Sequence, residues 1–200
     1  MIAHDAAQGS PEWFLSRLGI PTASRFSELL TSQGKPSASQ TGYMYELLAE
    51  QMAGTPEESF SNAWMERGNE LEPMAREYYE IQTGLTVEQS GFVTTDDRSA
   101  GGSPDGLTPT GGIEIKCPKR ANHIAYLLGG KCPAKYTQQV QGLMWIFERD
   151  HWDFVSYHPE MPAQLIVRVD RDDKWIGAFV DELYKFNDKL AKARQKLGLK

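Results

Sequence analysis

The chain has 200 residues, 40% of them apolar and 24% charged, with 5 Trp, 8 Tyr and 8 Phe. That is enough for one domain with a full core, too little for two generous ones, and it excludes a disordered chain. A net charge of −6, taken alone, speaks against a nucleic-acid binder, which needs Lys and Arg for phosphate contacts.

In chain order, apolar periodicity predicts helices over residues 11–18 and 23–30. Thr22 is placed as the N-cap of the second, whose buried face is Phe26, Leu29 and Leu30. Helix starts of this kind bind phosphate through free N–H groups, and Arg17 can add a bidentate contact. Residues 31–42, TSQGKPSASQTG, read as the clearest flexible loop. Helices follow over 43–53 and 64–83, the latter with Leu71, Met74, Ala75 and Tyr78 as its apolar face. Strands are expected over 86–94, 100–102 with 106–108, 112–117, 152–157 and 165–169. Helices over 121–128 and 135–147 separate the third strand signal from the fourth, and a long helix over 173–197 closes the chain. Its Ile176, Phe179, Leu183, Phe186 and Leu190 form one narrow stripe. The expected fold is α/β in a single domain, a mixed central β-sheet flanked by helices. Its parts are a helical region over about 1–83, a sheet core over about 84–170 and the last helix.

The chemistry concentrates around SPDGLTPTGGIEIKCP, residues 103–118. Period two puts Ile113, Ile115 and Cys117 on one face of a strand and Glu114 and Lys116 on the other. A hairpin-like return across TPTGG brings Asp105 toward Glu114. Two readings are open here. One is a solvent-facing strand with a Glu/Lys pair of little energetic weight. The other is an Mg2+ site of two carboxylates and the Ile115 carbonyl, suited to phosphodiester hydrolysis. No acidic residue lies between Glu114 and Glu148, while that gap holds Lys116, Lys119, Arg120, Lys131 and Lys135. A polyanion therefore has a local partner despite the acidic balance.

At about 100° per residue, Tyr136, Val140, Leu143, Met144 and Phe147 form a stripe. Gln139 falls at its border, and Gln138 and Gln141 face away. Four scattered His and the lone Cys117 and Cys132 lack zinc-ligand spacing. The thiols read as reduced, as in a cytoplasmic protein. No N-terminal apolar run resembles a signal peptide, and no stretch of about 18 apolar residues suggests a membrane span. The five Trp read as core.

Asp105 and the EIK triplet resemble the nuclease core of the PD-(D/E)xK, restriction-endonuclease-like superfamily. RLGIPTAS at 17–24, Gly68 with Glu72, SPDG at 103–106, EIKCP at 114–118, LGG at 128–130 and the Tyr136, Gln139, Val140, Gln141 pattern occur in one order. That order, over nearly the whole chain, resembles the bacteriophage lambda-type (YqaJ-like) exonucleases. The resemblance implies that Asp105, Glu114 and the Ile115 carbonyl are metal ligands, that Lys116 positions the attacking water, and that Glu72 sits near a second metal or its waters. It also implies an active-site role for Gln139, and a 5′-phosphate and DNA site at Arg17, Thr22, Ser24 and Ser103. The implied activity is an Mg2+-dependent 5′-to-3′ exonuclease on linear double-stranded DNA ends, for which Mn2+ can substitute. A homotrimeric ring and a single-strand annealing protein are the implied assembly and partner. An endonuclease on the same core and an inactive end-binding scaffold are the alternatives.

Overall fold

The computed structural model describes residues 1–4, 6, 9–55 and 63–199, the side chains of 63–65 excepted. The elements are β1 (Ile2–His4), α1 (Pro11–Arg17), a 3-10 helix (Ala23–Glu28), α2 (Gln40–Ala53), α3 (Ala63–Thr83), β2 (Phe92–Thr94), β3 (Gly101–Gly102), β4 (Gly106–Leu107) and β5 (Gly112–Lys116). Then come α4 (Arg120–Gly129), a 3-10 turn (Ala134–Tyr136), α5 (Thr137–Ile146), β6 (His151–Ser156), β7 (Leu165–Asp170) and α6 (Asp173–Leu197).

The strands form two sheets, β1-β2-β3 and β4-β5-β6-β7. The second is mixed: β5 and β6 are parallel, and its other pairs are antiparallel. The parallel pair requires a crossover, and α4 through α5 supply it. The long strand expected over 86–94 is cut short. Only Phe92–Thr94 pairs with β1 and β3, while Glu88 exchanges two 2.8 Å hydrogen bonds with Leu107 of β4. The chain thus leaves one sheet for the other at Ser90-Gly91, where a Cβ on Gly91 would crowd the His4 carbonyl.

Pairing register sorts the side chains of the four-stranded sheet. Ile113 and Ile115 face α3, packing with Val155, Tyr157, Ala75 and Tyr79. Glu114 lies opposite Phe154 on the other face, and Phe154 stacks on Tyr136 with ring centres 5.4 Å apart. A larger core joins α2, α5, α6, the first 3-10 helix and Trp152 of β6, centred on the buried Phe26, Leu143, Phe179 and Phe186. The α6 stripe packs onto this core within the chain. Asp172 caps α6 through the Trp175 N–H at 2.9 Å.

Several local expectations change. Residues 23–28 form a 3-10 helix, not an α-helix. The 31–42 loop is stitched by Thr31, Gly34 and Ser37 backbone bonds, and α2 begins within it at Gln40. Among the described side chains of α3 the buried ones are Ala75 and Tyr79, and Met74 is exposed. Trp152 and Trp175 are core, Trp145 packs against it, and Trp64 lies outside the described side chains. Both cysteines are free thiols. Burial pushes them up to about 11 (Cys117) and about 12 (Cys132). Among the described residues no helix is long and apolar enough to cross a membrane.

Candidate active site

The site starts from β5. Glu114 and Lys116 share a face, as the alternation requires, but that face is not solvated. Glu114 is 0% exposed, because α5 and the 3-10 turn before it cover this side of the sheet. Lys116 forms an ion pair with Glu114 Oε1, and its ammonium lies 5.3 Å from the Tyr136 ring centre. The reading of a solvent-facing pair is therefore overturned. A carboxylate taken out of water needs compensation. Lys116 supplies part of it, yet Glu114 Oε2 is buried and accepts no hydrogen bond.

Asp105 follows β3 and a tight turn that leads into β4. Its Oδ2 accepts the Ile115 N–H at 2.6 Å. The N–H and C=O of one strand residue leave toward the same edge. The Ile115 carbonyl is thus directed to the Asp105 side, whereas the Lys116 carbonyl accepts from Tyr157 N–H at 2.9 Å on the β6 side. β4 ends at Leu107 and covers only Gly112 and Ile113, so this edge of β5 stays open beside Asp105.

Glu72 reaches the same place from α3. Arg76, one turn on, binds Glu72 Oε1 at 2.5 Å through Nη2 and the Asp105 carbonyl at 3.2 Å through Nε. Burial, then the Asp105 charge, pushes Glu114 up to about 8 and Glu72 up to about 7. Burial also raises Asp105, against the pull of Lys116. Burial would lower Lys116, but the Glu114 and Asp105 carboxylates override it and raise the ammonium. Three carboxyls sharing two cations, Lys116 and Arg76, are short of positive charge.

Among the described residues no group of three or more His, Cys, Asp and Glu is arranged to hold a metal ion. The donor set is instead two carboxylates and a main-chain carbonyl. The unpartnered Glu114 oxygen and the raised carboxyls fit a hard divalent cation that keeps several of its waters. Asp105, Glu114 and the Ile115 carbonyl would hold it.

One cleft of about 460 Å³ gathers the remaining candidates: Asp105, Ile115, Lys116, Glu72 and Gln139 with Arg17, Thr22, Ser24 and Ser103. Glu114 is not one of its lining residues; it is buried and pairs with the lining residue Lys116. Arg17 ends α1 and stacks over Trp13, 4.1 Å from the ring centre. Burial lowers its guanidinium, opposed by Tyr43 and Glu50. The Trp13 indole N–H donates to Ser103 Oγ at 3.1 Å, tying the phosphate-site candidates to the loop that carries Asp105. Thr22 holds the N-cap position without a side-chain cap bond. Its N–H donates to the Tyr43 hydroxyl at 3.1 Å, and its hydroxyl lies 3.4 Å from that of Ser24. The expected capped α-helix is thus replaced by a short 3-10 helix, with both hydroxyls lining the cleft.

Gln139 is on the cleft wall, while its two neighbours are buried elsewhere. Gln141 donates to the Asp170 carbonyl and accepts from the Asp172 N–H, both at 2.9 Å. Gln138 is buried against Leu30. Both do face away from the cleft, but α5 is packed nearly all round rather than amphipathic. Sequence reasoning missed Arg76, Tyr136 and Trp13 as parts of the site. For Arg76 a signal existed, since its i,i+4 spacing from Glu72 marks a helix pair.

A family model described as a YqaJ-like viral recombinase domain matches residues 12–150. The chain is similar to the alkaline exonuclease LHK-Exo from Laribacter hongkongensis, with 39% identity over 94% of this chain and 96% of that one, at a TM-score of 0.85. For the structure of LHK-Exo in complex with dAMP the TM-score is 0.86. A phage related exonuclease from Haemophilus somnus 129PT, 16% identical over 89% of this chain and 96% of that one, has a TM-score of 0.74 and shows likeness of fold. ExoD of Escherichia coli (strain K12), an uncharacterized protein, is 30% identical over 79 residues, which are 38% of this chain and 91% of that protein.

Proposed function

The chain belongs to the YqaJ-like viral recombinase domain family, and from that membership and its acidic cleft we propose a 5′-to-3′ direction and an Mg2+ requirement for its activity. It is a nuclease, a DNA exonuclease. In this reading it digests one strand of linear duplex DNA from a 5′-phosphorylated end, releases mononucleotides, and leaves a 3′ single strand for recombination by annealing. One observation carries the reading: Arg17, Thr22, Ser24 and Ser103 line the same cleft as Asp105, Lys116, Glu72 and Gln139. An end-holding pocket in the same cleft as the hydrolytic group suits an enzyme that counts from a terminus.

Bound at Asp105, Glu114 and the Ile115 carbonyl, Mg2+ (or Mn2+) supplies Lewis-acid polarisation of the scissile phosphate and a more acidic water. The protein groups do the rest. Arg17 offers a planar fork to the terminal phosphate, with the Thr22 and Ser24 hydroxyls as further donors. The Lys116 ammonium, fixed between Glu114 and the Tyr136 ring, orients a water toward phosphorus and balances charge as the bond breaks. Glu72, with a carboxyl near neutral pH, is placed to accept a proton. Arg76 positions Glu72 and the Asp105 backbone. A homotrimeric ring around DNA and a single-strand annealing protein as partner complete the proposal; a ring would account for processive digestion.

The test uses closed circular DNA, linear 5′-phosphorylated DNA and linear 5′-hydroxyl DNA, each with and without Mg2+. Digestion of linear DNA alone, with Mg2+, is expected. Cutting of the closed circle would favour an endonuclease, and tight end binding without digestion would favour a scaffold. Asp105→Asn should lower the rate at least about a hundredfold; a wild-type rate would remove Asp105 from the site.

A further inference from the structure

The pocket that would hold the DNA end is shaped from both ends of the chain. Arg17, the last residue of α1, and Thr22, at the start of the first 3-10 helix, both line the cleft. Between them the backbone makes a type II turn. Leu18 has φ −56° and ψ 125°, Gly19 has φ +69°, and the Ile20 N–H closes the turn onto the Arg17 carbonyl at 3.1 Å. The third position of such a turn requires a positive φ, which glycine supplies.

Beyond the turn, the Pro21 carbonyl accepts the Gly101 N–H at 2.9 Å, and the Thr22 N–H donates to Tyr43. β3 and α2 therefore hold that side of the segment. The turn itself is held from α6. Arg194 Nη2 donates to the Gly19 carbonyl at 2.5 Å, across 175 positions of sequence. The approach is close: a Cβ on Gly19 would stand 2.9 Å from that nitrogen and 3.2 Å from Gln51 Oε1 of α2. Arg194 follows the buried Leu190 by four residues, so the apolar stripe of α6 delivers it to this place. The Leu199 N–H closes the end of α6 onto the Arg194 carbonyl at 3.0 Å.

A simple tether needs no charge. Elsewhere on the same helix a neutral amide makes an equivalent bond, where Asn187 Nδ2 donates to the Ser99 carbonyl at 2.8 Å. At Gly19 a guanidinium takes that role. Burial lowers it, and among the described residues no carboxylate opposes the shift. A charged donor binds a carbonyl more strongly than an amide does. The stronger donor stands at the turn whose shape sets the separation of Arg17 and Thr22.

We propose that Arg194 is a positioning residue for the terminal phosphate: by holding the Gly19 carbonyl it fixes the turn that aims Arg17 and Thr22 at one anion. The inference rests on the exonuclease reading above and its 5′-end pocket. Arg194 is not among the residues that line the cleft, so it acts through the turn and not by touching the phosphate.

The test measures kcat and KM on linear duplexes that differ only in a 5′-phosphate or a 5′-hydroxyl. Wild type is expected to prefer the phosphorylated end. Arg194→Gln should lower that preference about fivefold, the effect of one charge-assisted bond, and through KM rather than kcat. Arg194→Met keeps the apolar stem, which protects the fold, and should behave alike. Arg194→Lys retains a charged donor and should recover part of the preference. Asn187→Ala removes the α6 bond to Ser99 and should leave the preference unchanged. A wild-type preference in Arg194→Gln and Arg194→Met would overturn the inference and leave the exonuclease reading standing. An equal loss in Asn187→Ala would also overturn it, because general loosening of α6 would then be the cause. A wild type that digests both ends equally well would overturn the 5′-end pocket and this inference together.

Discussion

At the residue scale, the site is defined by where charge is left uncompensated. Glu114 is buried with an unbonded oxygen, and Arg17 is held over Trp13 at the opposite role, a cation waiting for an anion. Arg17→Ala is expected to slow digestion of 5′-phosphorylated ends about tenfold or more, and of 5′-hydroxyl ends much less. Comparing the two rates checks it, and equal slowing would remove the phosphate role. Thr22, Ser24 and Gln139 could be picked out by residue type and motif order. For Arg76 only the i,i+4 pairing with Glu72 was legible; nothing local marks a helical Arg as the partner of a backbone carbonyl 29 residues away.

At the element scale, α5 is the part that sequence periodicity described least well. A stripe with polar flanks suggests one buried face, whereas this helix lies between the sheet, the first 3-10 helix and α6, and buries Gln138 and Gln141 as well. Both glutamines find backbone partners there, which is why polar residues are tolerated. The contact with the 3-10 helix is closest at Gly142, where an added Cβ would overlap the Phe26 ring. Gly142→Ala is expected to destabilise the fold by about 1–3 kcal/mol through overpacking. Denaturant unfolding measures it; an unchanged midpoint would mean that the 3-10 helix can move aside. Because Thr22 and Ser24 stand at the start of that 3-10 helix, the variant should also slow cleavage of phosphorylated ends.

At the scale of the whole molecule, the cluster of carboxyls sets a pH dependence. Folded Glu114 is raised to about 8 and Glu72 to about 7, from 4.5 when free of the fold. A carboxyl raised in the folded state stabilises it fully below the unfolded value, and this is lost as pH rises through the folded value. Metal-free protein is therefore expected to lose thermal stability between about pH 5 and pH 8, and Mg2+ to restore it at the upper end. Melting curves in chelator and in Mg2+ across that window test this. A flat Tm in chelator would mean that the carboxyls are charged without cost, and that the site needs no cation.

What the sequence by itself determined is the chemistry and much of the scaffold. Period-two alternation placed Glu114 with Lys116 and helical periodicity placed Phe179, Leu183 and Phe186 in the core, while the resemblance of the motif order to a known family implied Arg17, Glu72, Asp105 and Gln139 as one set. Alternation and periodicity are local patterns, and local backbone geometry reads them directly. Only the tertiary structure decided that the Glu114 face is dry and that one cleft gathers the set. Burial depends on which elements lie over a residue, and α5, Tyr136 and Arg76 come from segments that contact β5 only after the chain has closed on itself.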